Sequence, residues 1–330
     1  MKVWYDACTG KHVRYGVAIA RKLREKGHEV ILTTRKHPDT IPLVELLNEK
    51  FIIVGKYDPK SLASRLREGL KRQLMFCKFF GQDPPDAAIS HGSVDQIRVA
   101  FGLGAPIITT VDTPYAEAVH RLTLPLADFI VASRAIPRET LQKYNVKEKI
   151  LQFDGVDEVA WIKGFKPVVK YDFGSPLIVV REVEEKAVYA KKGFSLIQVA
   201  KKLTQLGSVV FLSRYRRRTI KGLIIPKEFV DTASLVAQAD LFVGAGGTIT
   251  REAALQGTPA LVVDIFQEQY VNDYLADKGF PIFKVDKSSL VKTAKKLLGM
   301  KIDTKNLVDK LEDPVDTILK ILERLKTPVI

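Results

Sequence analysis

The sequence predicts an α/β protein made of two Rossmann-like domains, each a doubly wound parallel sheet. Short apolar runs alternate with amphipathic stretches along most of the chain, the pattern of strands covered on both faces by crossover helices. That alternation lapses once after Ile150, through FDGVDEVAWIKGFKP, where Gly155, Gly164 and Pro167 read as a linker. A chain of 330 residues with 46% hydrophobic content is comfortable for two cores of roughly 150 residues each. The expected domains are 1–165 and 166–330.

In the first domain, runs at Val3–Tyr5, Glu29–Thr33, Phe51–Val54, Ala87–Ser90, Ile107–Thr110 and Phe129–Ala132 read as strands. Amphipathic segments beginning near His12, Pro59, Val94, Tyr115 and Pro137 read as the helices between them. In the second domain, strands are expected at Leu177–Val180, Val209–Leu212, Gly222–Ile225, Leu241–Val243 and Ala260–Val263. The last helix carries Val315, Ile318, Leu319, Leu322 and Leu325 at helical spacing. It either crosses back over the interdomain joint or belongs to the second domain. Ligands of such sheets bind outside the C-terminal strand ends, and with two sheets the default site is the cleft between them.

The formal charge of +14 is spread over both halves, so no basic tail accounts for it. Such a surface attracts nucleic acid, anionic lipid or phosphorylated small molecules alike, or is simply solvated lysine. Nucleic acid is unsupported, since no aromatic-basic RNA module, zinc-finger spacing or heptad repeat is present. No window approaches 18 uninterrupted apolar residues, the length that would span a membrane. The start MKVWYDA reads as a strand and not a signal peptide. Cys8 and Cys77 lack metal-ligand spacing, which fits a reducing, cytoplasmic setting. Few Cys and Met against abundant Lys, Arg and Glu give a thermophile-like composition.

The most informative stretch is Leu241–Val263, LFVGAGGTITREAALQGTPALVV, read as strand, Gly-rich turn, helix and strand. Gly244, Gly246 and Gly247 permit a sharp turn and close approach of a ligand. Thr248 reads as the helix N-cap. A turn of this kind offers unpaired N–H groups and a positive dipole end to a phosphate. Glu252 follows about one helical turn later, where a carboxylate can accept two ribose hydroxyls. An ordinary crossover with glycines for packing is the competing reading. Gln267, Glu268 and Gln269 then open the next helix, in amide and carboxylate chemistry suited to a polyol.

In the first half, strand one ends at Asp6, and a loop with Thr9 and Gly10 leads to His12 at a helix start. A helix N-terminus disfavours imidazolium, keeping such a histidine neutral and able to accept a proton. Ser90-His91-Gly92-Ser93, with Asp95 close behind, forms a second strand-to-helix loop where His91 and Ser93 can hold an acceptor or a phosphate. Asp112 follows the next strand, with Glu117 and His120 on the helix after it; His120 either lines the cleft or packs. Asp6, Asp95 and Asp112 show no metal-cluster spacing. Arg181 ends the first strand of the second domain, and Arg214, with Arg216–Arg218, follows the next. Either arginine can supply charge to a phosphate or sit in a surface ion pair.

The order Gly-Gly-Thr, Arg251-Glu252, Gly-Thr-Pro, then Gln267-x-Gln269-x-x-Asn272 resembles the donor half of GT-B nucleotide-sugar glycosyltransferases, close to the lipid-linked N-acetylglucosaminyltransferases. In that family the matching Glu holds the ribose and the matching Gln residues hold the sugar. The loop ACTGKH resembles the family's first loop, near which the acceptor binds. The histidine matching His12 is implied to act as general base or to stabilise the reacting end. Lys11 stands where that family usually has a second loop glycine. Across its length the chain is similar to domain of unknown function family 354, archaeal and bacterial, which itself resembles GT-B transferases and UDP-N-acetylglucosamine 2-epimerases.

The resemblance implies a GT-B arrangement and an inverting transfer from a nucleotide sugar to an unknown acceptor, with no metal and no separate cofactor. A 2-epimerase is the alternative, needing acid/base carboxylates for which Asp95, Asp112 and Glu117 are the nominees. A non-catalytic nucleotide- or nucleic-acid-binding protein is the second alternative. Finally, Ser61–Gly81 repeats Leu62, Leu66, Leu70 and Leu74 beside Arg65, Arg67, Lys71, Arg72 and Lys78, with Phe76, Phe79 and Phe80 at its end. It reads either as an interfacial helix for peripheral attachment to an anionic membrane carrying a lipid-linked acceptor, or as a helix burying its leucines on the first sheet.

Overall fold

The computed structural model describes residues 1–144, 146, 149–182, 195–213, 219–263 and 268–326, which form two parallel sheets. The first contains β1 (Lys2–Ala7), β2 (Glu29–Lys36), β3 (Ile52–Lys56), β4 (Ala87–Ser90), β5 (Ile107–Val111), β6 (Phe129–Ser133) and β7 (Ile150–Phe153), in the order β3-β2-β1-β4-β5-β6-β7. The second contains β8 (Leu177–Arg181), β9 (Ser208–Leu212), β10 (Leu241–Gly244), β11 (Ala260–Val263) and β12 (Ile282–Val285), in the order β12-β11-β10-β8-β9. The chain divides into one compact unit of Met1–Trp161 with the segment from Glu312, and another of Ile162–Leu311.

Each strand order reverses direction once, between β1 and β4 in the first unit and between β8 and β10 in the second. At such switch points neighbouring crossovers leave toward opposite faces and open a crevice at the strand ends. The loops carrying His12 and His91 flank the first crevice. Arg181 and the Gly246–Gly247 turn flank the second.

Two edge strands escape the apolar-run reading, and the reason is the same for both. β7 (ILQF) was not among the expected strands and ends where the linker stretch was expected to begin; its Gln152 amide bonds the Ile136 carbonyl at 2.8 Å. β12 (IFKV) was not expected, and it shows Lys284 to solvent. A strand at a sheet edge is only half covered, so its sequence mixes polar and apolar residues. Conversely, Gly222–Ile225 makes no strand; it meets β9 through the single bridge Val210–Ile224. Gly155 is no linker glycine either: its Cα lies against the Glu312 backbone, where a side chain would collide. The helix Pro314–Lys326 packs on β6 and β7. Lys22 bonds Asp313 at 3.0 Å and Asp316 at 2.6 Å just ahead of and within that helix.

The helix Leu62–Phe80 splits the two readings made for it. Phe76 and Phe80 are buried against Trp4, with ring centroids at 4.7 and 4.3 Å. The four leucines expected in the core are instead exposed, from 56% at Leu70 to 77% at Leu62, as is Phe79. Arg72 decides this rotation. Its fully buried guanidinium takes both Asp6 oxygens at 3.0 and 2.5 Å and the Val54 carbonyl at 2.9 Å. Turning the leucines inward would pull that cation from its carboxylate, and breaking a buried pair costs about 3–5 kcal/mol.

Candidate functional site

The first unit gathers ionisable groups from four strand ends. Thr9 caps the Gly10–Glu25 helix, accepting the His12 N–H at 3.4 Å. That brings Lys11 and His12 into the first turn. Lys11 Nζ donates to Asp112 Oδ2 beyond β5 at 2.5 Å and to Asp157 Oδ2 beyond β7 at 2.9 Å. Glu158 Oε1 lies 3.9 Å from the same ammonium. His91, beyond β4, places Nε2 at 3.1 Å from Asp112 Oδ1 and Nδ1 at 2.6 Å from the Thr110 hydroxyl.

His12 packs edge-on against His91, with ring centroids 4.9 Å apart. Burial, then His91 and Lys11, hold its imidazole well below the ordinary 6.5, while Asp112 pulls the other way. The neutral state expected from the helix terminus is thus favoured mainly by desolvation. Cys8 N–H donates to His12 Nδ1 at 3.4 Å, the long end of hydrogen bonding. This contact favours the neutral tautomer with the proton on Nε2, so the free nitrogen presents a donor.

Several expected site residues are already spent. Ser93 is 1% exposed and gives its hydroxyl to Asp6 at 2.5 Å, so it caps the Val94–Gly102 helix and is not presented to a substrate. Asp95 is drawn to Arg72 at 3.3 Å and Gln73 at 3.2 Å, a structural pairing in place of the acid/base role considered for it. His120 is buried and bonds the Thr113 carbonyl at 2.7 Å, so it packs. Glu117, another carboxylate nominee, pairs with Arg121 at 2.7 Å. Burial and Asp6 push the Cys8 thiol up, away from thiolate chemistry.

In the second unit, Gly246 (φ 98°) and Gly247 (φ 96°) both occupy the left-handed region that favours glycine. Gly247 is the N-cap of the helix Thr248–Leu255, which makes Thr248 the first helical residue and not the cap, with no side-chain cap bond. The Gly247 Cα faces open space. Gly246 packs directly under Gln269 and Asn272, leaving no room for a side chain. Those amides bond one another, Asn272 Nδ2 to Gln269 Oε1, at 2.6 Å. Gln269 Nε2 and Asn272 Oδ1 are buried with no hydrogen-bond partner. Buried polar atoms left in that state call for a water or a ligand. Glu252 is 1% exposed and accepts the Thr232 hydroxyl on Oε2 at 2.9 Å; Arg251 beside it is also buried. Arg181 is half-buried at the end of β8, near Gly244 across the switch point. Arg214, Arg216–Arg218 and Gln267 lie outside the described residues.

Sequence reasoning missed Lys11, Asp157 and Glu158 as site residues. Asp157 and Glu158 sat inside the supposed linker, and Lys11 stood out only as a missing glycine. Asn272 was visible as the end of the Gln-x-Gln-x-x-Asn pattern.

The chain matches the family model described as Protein of unknown function (DUF354) over residues 1–326. An uncharacterised protein from Methanocaldococcus jannaschii is 30% identical, over 97% of this chain and 97% of its own. The UDP-GlcNAc 2-epimerase of the same organism superposes with a TM-score of 0.68 at 14% identity, covering 98% of this chain and 100% of that one. The glycosyltransferase SnogD from Streptomyces nogalater superposes at 0.62 and 15% identity, covering 98% of this chain and 99% of that one. The fold is that of GT-B proteins.

Proposed function

The chain belongs to the family described as Protein of unknown function (DUF354), and we propose that it transfers a sugar from a nucleotide-sugar donor to an acceptor hydroxyl with inversion. The observation that carries this reading is the second unit's crevice. Two left-handed glycines stand at a helix start, where the first N–H groups have no intrahelical partner, beside two amide side chains with unspent hydrogen-bonding atoms. Amides of Gly246–Thr248 and the charge of Arg181 suit a leaving diphosphate. Glu252 and Arg251 suit the ribose side, and Gln269 and Asn272 the sugar. The GT-B fold, shared with transferases and UDP-GlcNAc 2-epimerases, supports the substrate class, with UDP-N-acetylglucosamine as first choice. In the first unit His12 serves as a neutral group at the reacting oxygen, and Thr9, Gly10 and His91 line the acceptor side.

The test is ligand-induced thermal shift against a panel of UDP-, GDP-, CDP- and dTDP-sugars. A ligand at 100 times its Kd stabilises by about 2.7 kcal/mol, which a melting curve resolves. No shift with any member of the panel rejects the donor assignment.

Epimerisation is the second reading, favoured by Asp112 and Asp157, which the first unit gathers around one ammonium beside His12. It requires no acceptor. Incubation with UDP-N-acetylglucosamine alone, followed by chromatography of the sugar, separates the two: a new epimer without acceptor favours the epimerase.

The exposed leucines of Leu62–Phe80 run beside exposed Arg65, Arg67, Lys71 and Lys78, a pairing that suits the surface of an anionic bilayer bearing a lipid-linked acceptor. No described helix is long and apolar enough to cross a membrane. Co-sedimentation with anionic and neutral vesicles at low and high salt checks the idea, and failure to bind anionic vesicles at low salt rejects it.

A further inference from the structure

Three ligand atoms in the first unit lie where a metal ion would gather them. One nitrogen of His91 and one carboxylate oxygen each of Asp112 and Asp157 fall within 4.8 Å of one another. An imidazole with two carboxylates is a donor set for a divalent transition ion. The space they enclose already has a positive group in it. Lys11 Nζ reaches Asp112 at 2.5 Å and Asp157 at 2.9 Å, with its side chain only 11% exposed. The second oxygen of Asp157, on a residue 2% exposed, makes no hydrogen bond. A buried carboxylate with an unspent oxygen still has a coordination position to give.

We propose that His91, Asp112 and Asp157 form a cation cage and that Lys11 is its resident cation, an ammonium tethered where a divalent ion would otherwise sit. The sheet order makes this possible: Lys11 follows β1, and His91, Asp112 and Asp157 follow β4, β5 and β7. One positive charge at this point holds two carboxylates in place and repels any dication that approaches. Lys11 is a positioning residue in this scheme. The inference rests on the first unit alone and stands or falls independently of the sugar chemistry.

The test is manganese binding followed by electron paramagnetic resonance, on wild type, Lys11→Met, Lys11→Arg and Lys11→Met/Asp157→Asn. Lys11→Met is expected to gain one Mn²⁺ site tighter than any site of the wild type, by about tenfold or more, since the repelling charge a few ångströms away is removed. Adding Asp157→Asn should abolish it, and Lys11→Arg, which keeps the charge, should behave as wild type. The melting temperature gives a second readout: Mn²⁺ should raise that of Lys11→Met and leave wild type unmoved. Should Lys11→Met be unfolded without metal, folding on addition of Mn²⁺ counts for the cage, and failure to fold counts against it. Equal Mn²⁺ affinity in wild type and Lys11→Met overturns Lys11 as the occupant. Absence of Mn²⁺ binding in folded Lys11→Met overturns the cage.

Discussion

The two switch-point crevices handle polar groups in opposite ways. In the first unit, charges meet charges from within the chain: Lys11 with Asp112 and Asp157, Arg72 with Asp6 and Asp95. In the second, polar side-chain atoms are left waiting: Gln269 Nε2 and Asn272 Oδ1. A crevice whose charges are paired within the chain is pre-organised, even with the second Asp157 oxygen unspent, so its residues hold a fixed geometry. A crevice with unspent donors and acceptors gains most when something binds. Under the proposed function, the contrast gives reaction to the first unit and recognition to the second.

The contrast breaks first at His12. Under the proposed function, His12→Ala should lower turnover by about 10²–10⁴ while leaving donor affinity nearly intact. His12→Gln retains an N–H donor but no basic nitrogen. Substantial activity in that variant identifies hydrogen-bond donation from Nε2; activity as low as in alanine identifies a general base. Initial rates beside calorimetric donor titration distinguish these outcomes.

Next in size is the stability of the self-paired side. Arg72→Met leaves Asp6 buried without its cation, and should cost about 3–5 kcal/mol of unfolding free energy. Denaturant titration measures the loss. A cost under about 1 kcal/mol, the range of exposed pairs, would show the pair adds nothing beyond packing.

On the recognition side the effect is smaller and falls on binding. Glu252→Ala should weaken nucleotide-sugar affinity by about 1.5–3 kcal/mol, the value of hydrogen bonds to a charged group. Equal affinities for wild type and variant would remove Glu252 from the ribose.

The smallest effect is in pH dependence. Because burial lowers the His12 pKa in the folded protein, the unfolded chain takes up its proton first as pH falls. Stability from this group is therefore complete above the ordinary value of 6.5, and is lost as pH drops from there toward the folded pKa. The acid limb of the rate profile should likewise fall below 6.5. An acid limb above that value would mean His12 is not the titrating group.

Much of this architecture was readable residue by residue. Central strands such as β1, β4 and β10 are buried on both faces, so they are continuous apolar runs. Edge strands β7 and β12 were not legible, because Gln152 and Lys284 answer to solvent and to neighbouring backbone. The Gly246–Gly247 turn was legible since its backbone conformation admits little else. The fates of Ser93 and Asp95 were not, for each depends on a residue far along the chain: Asp6 for one and Arg72 for the other.

By itself the sequence determined the class of fold, the alternation behind both sheets, the glycine turn and its helix, and the histidine poised at the first helix. These are local properties, set by which backbone angles and which faces a short segment can accept. Only the tertiary structure decided that Lys11, His91, Asp112 and Asp157 share one cage, and that Leu62–Phe80 buries Arg72 in preference to its leucines. Sheet order, which sets those neighbours, arises from the packing of the whole unit, and no stretch of sequence encodes it alone.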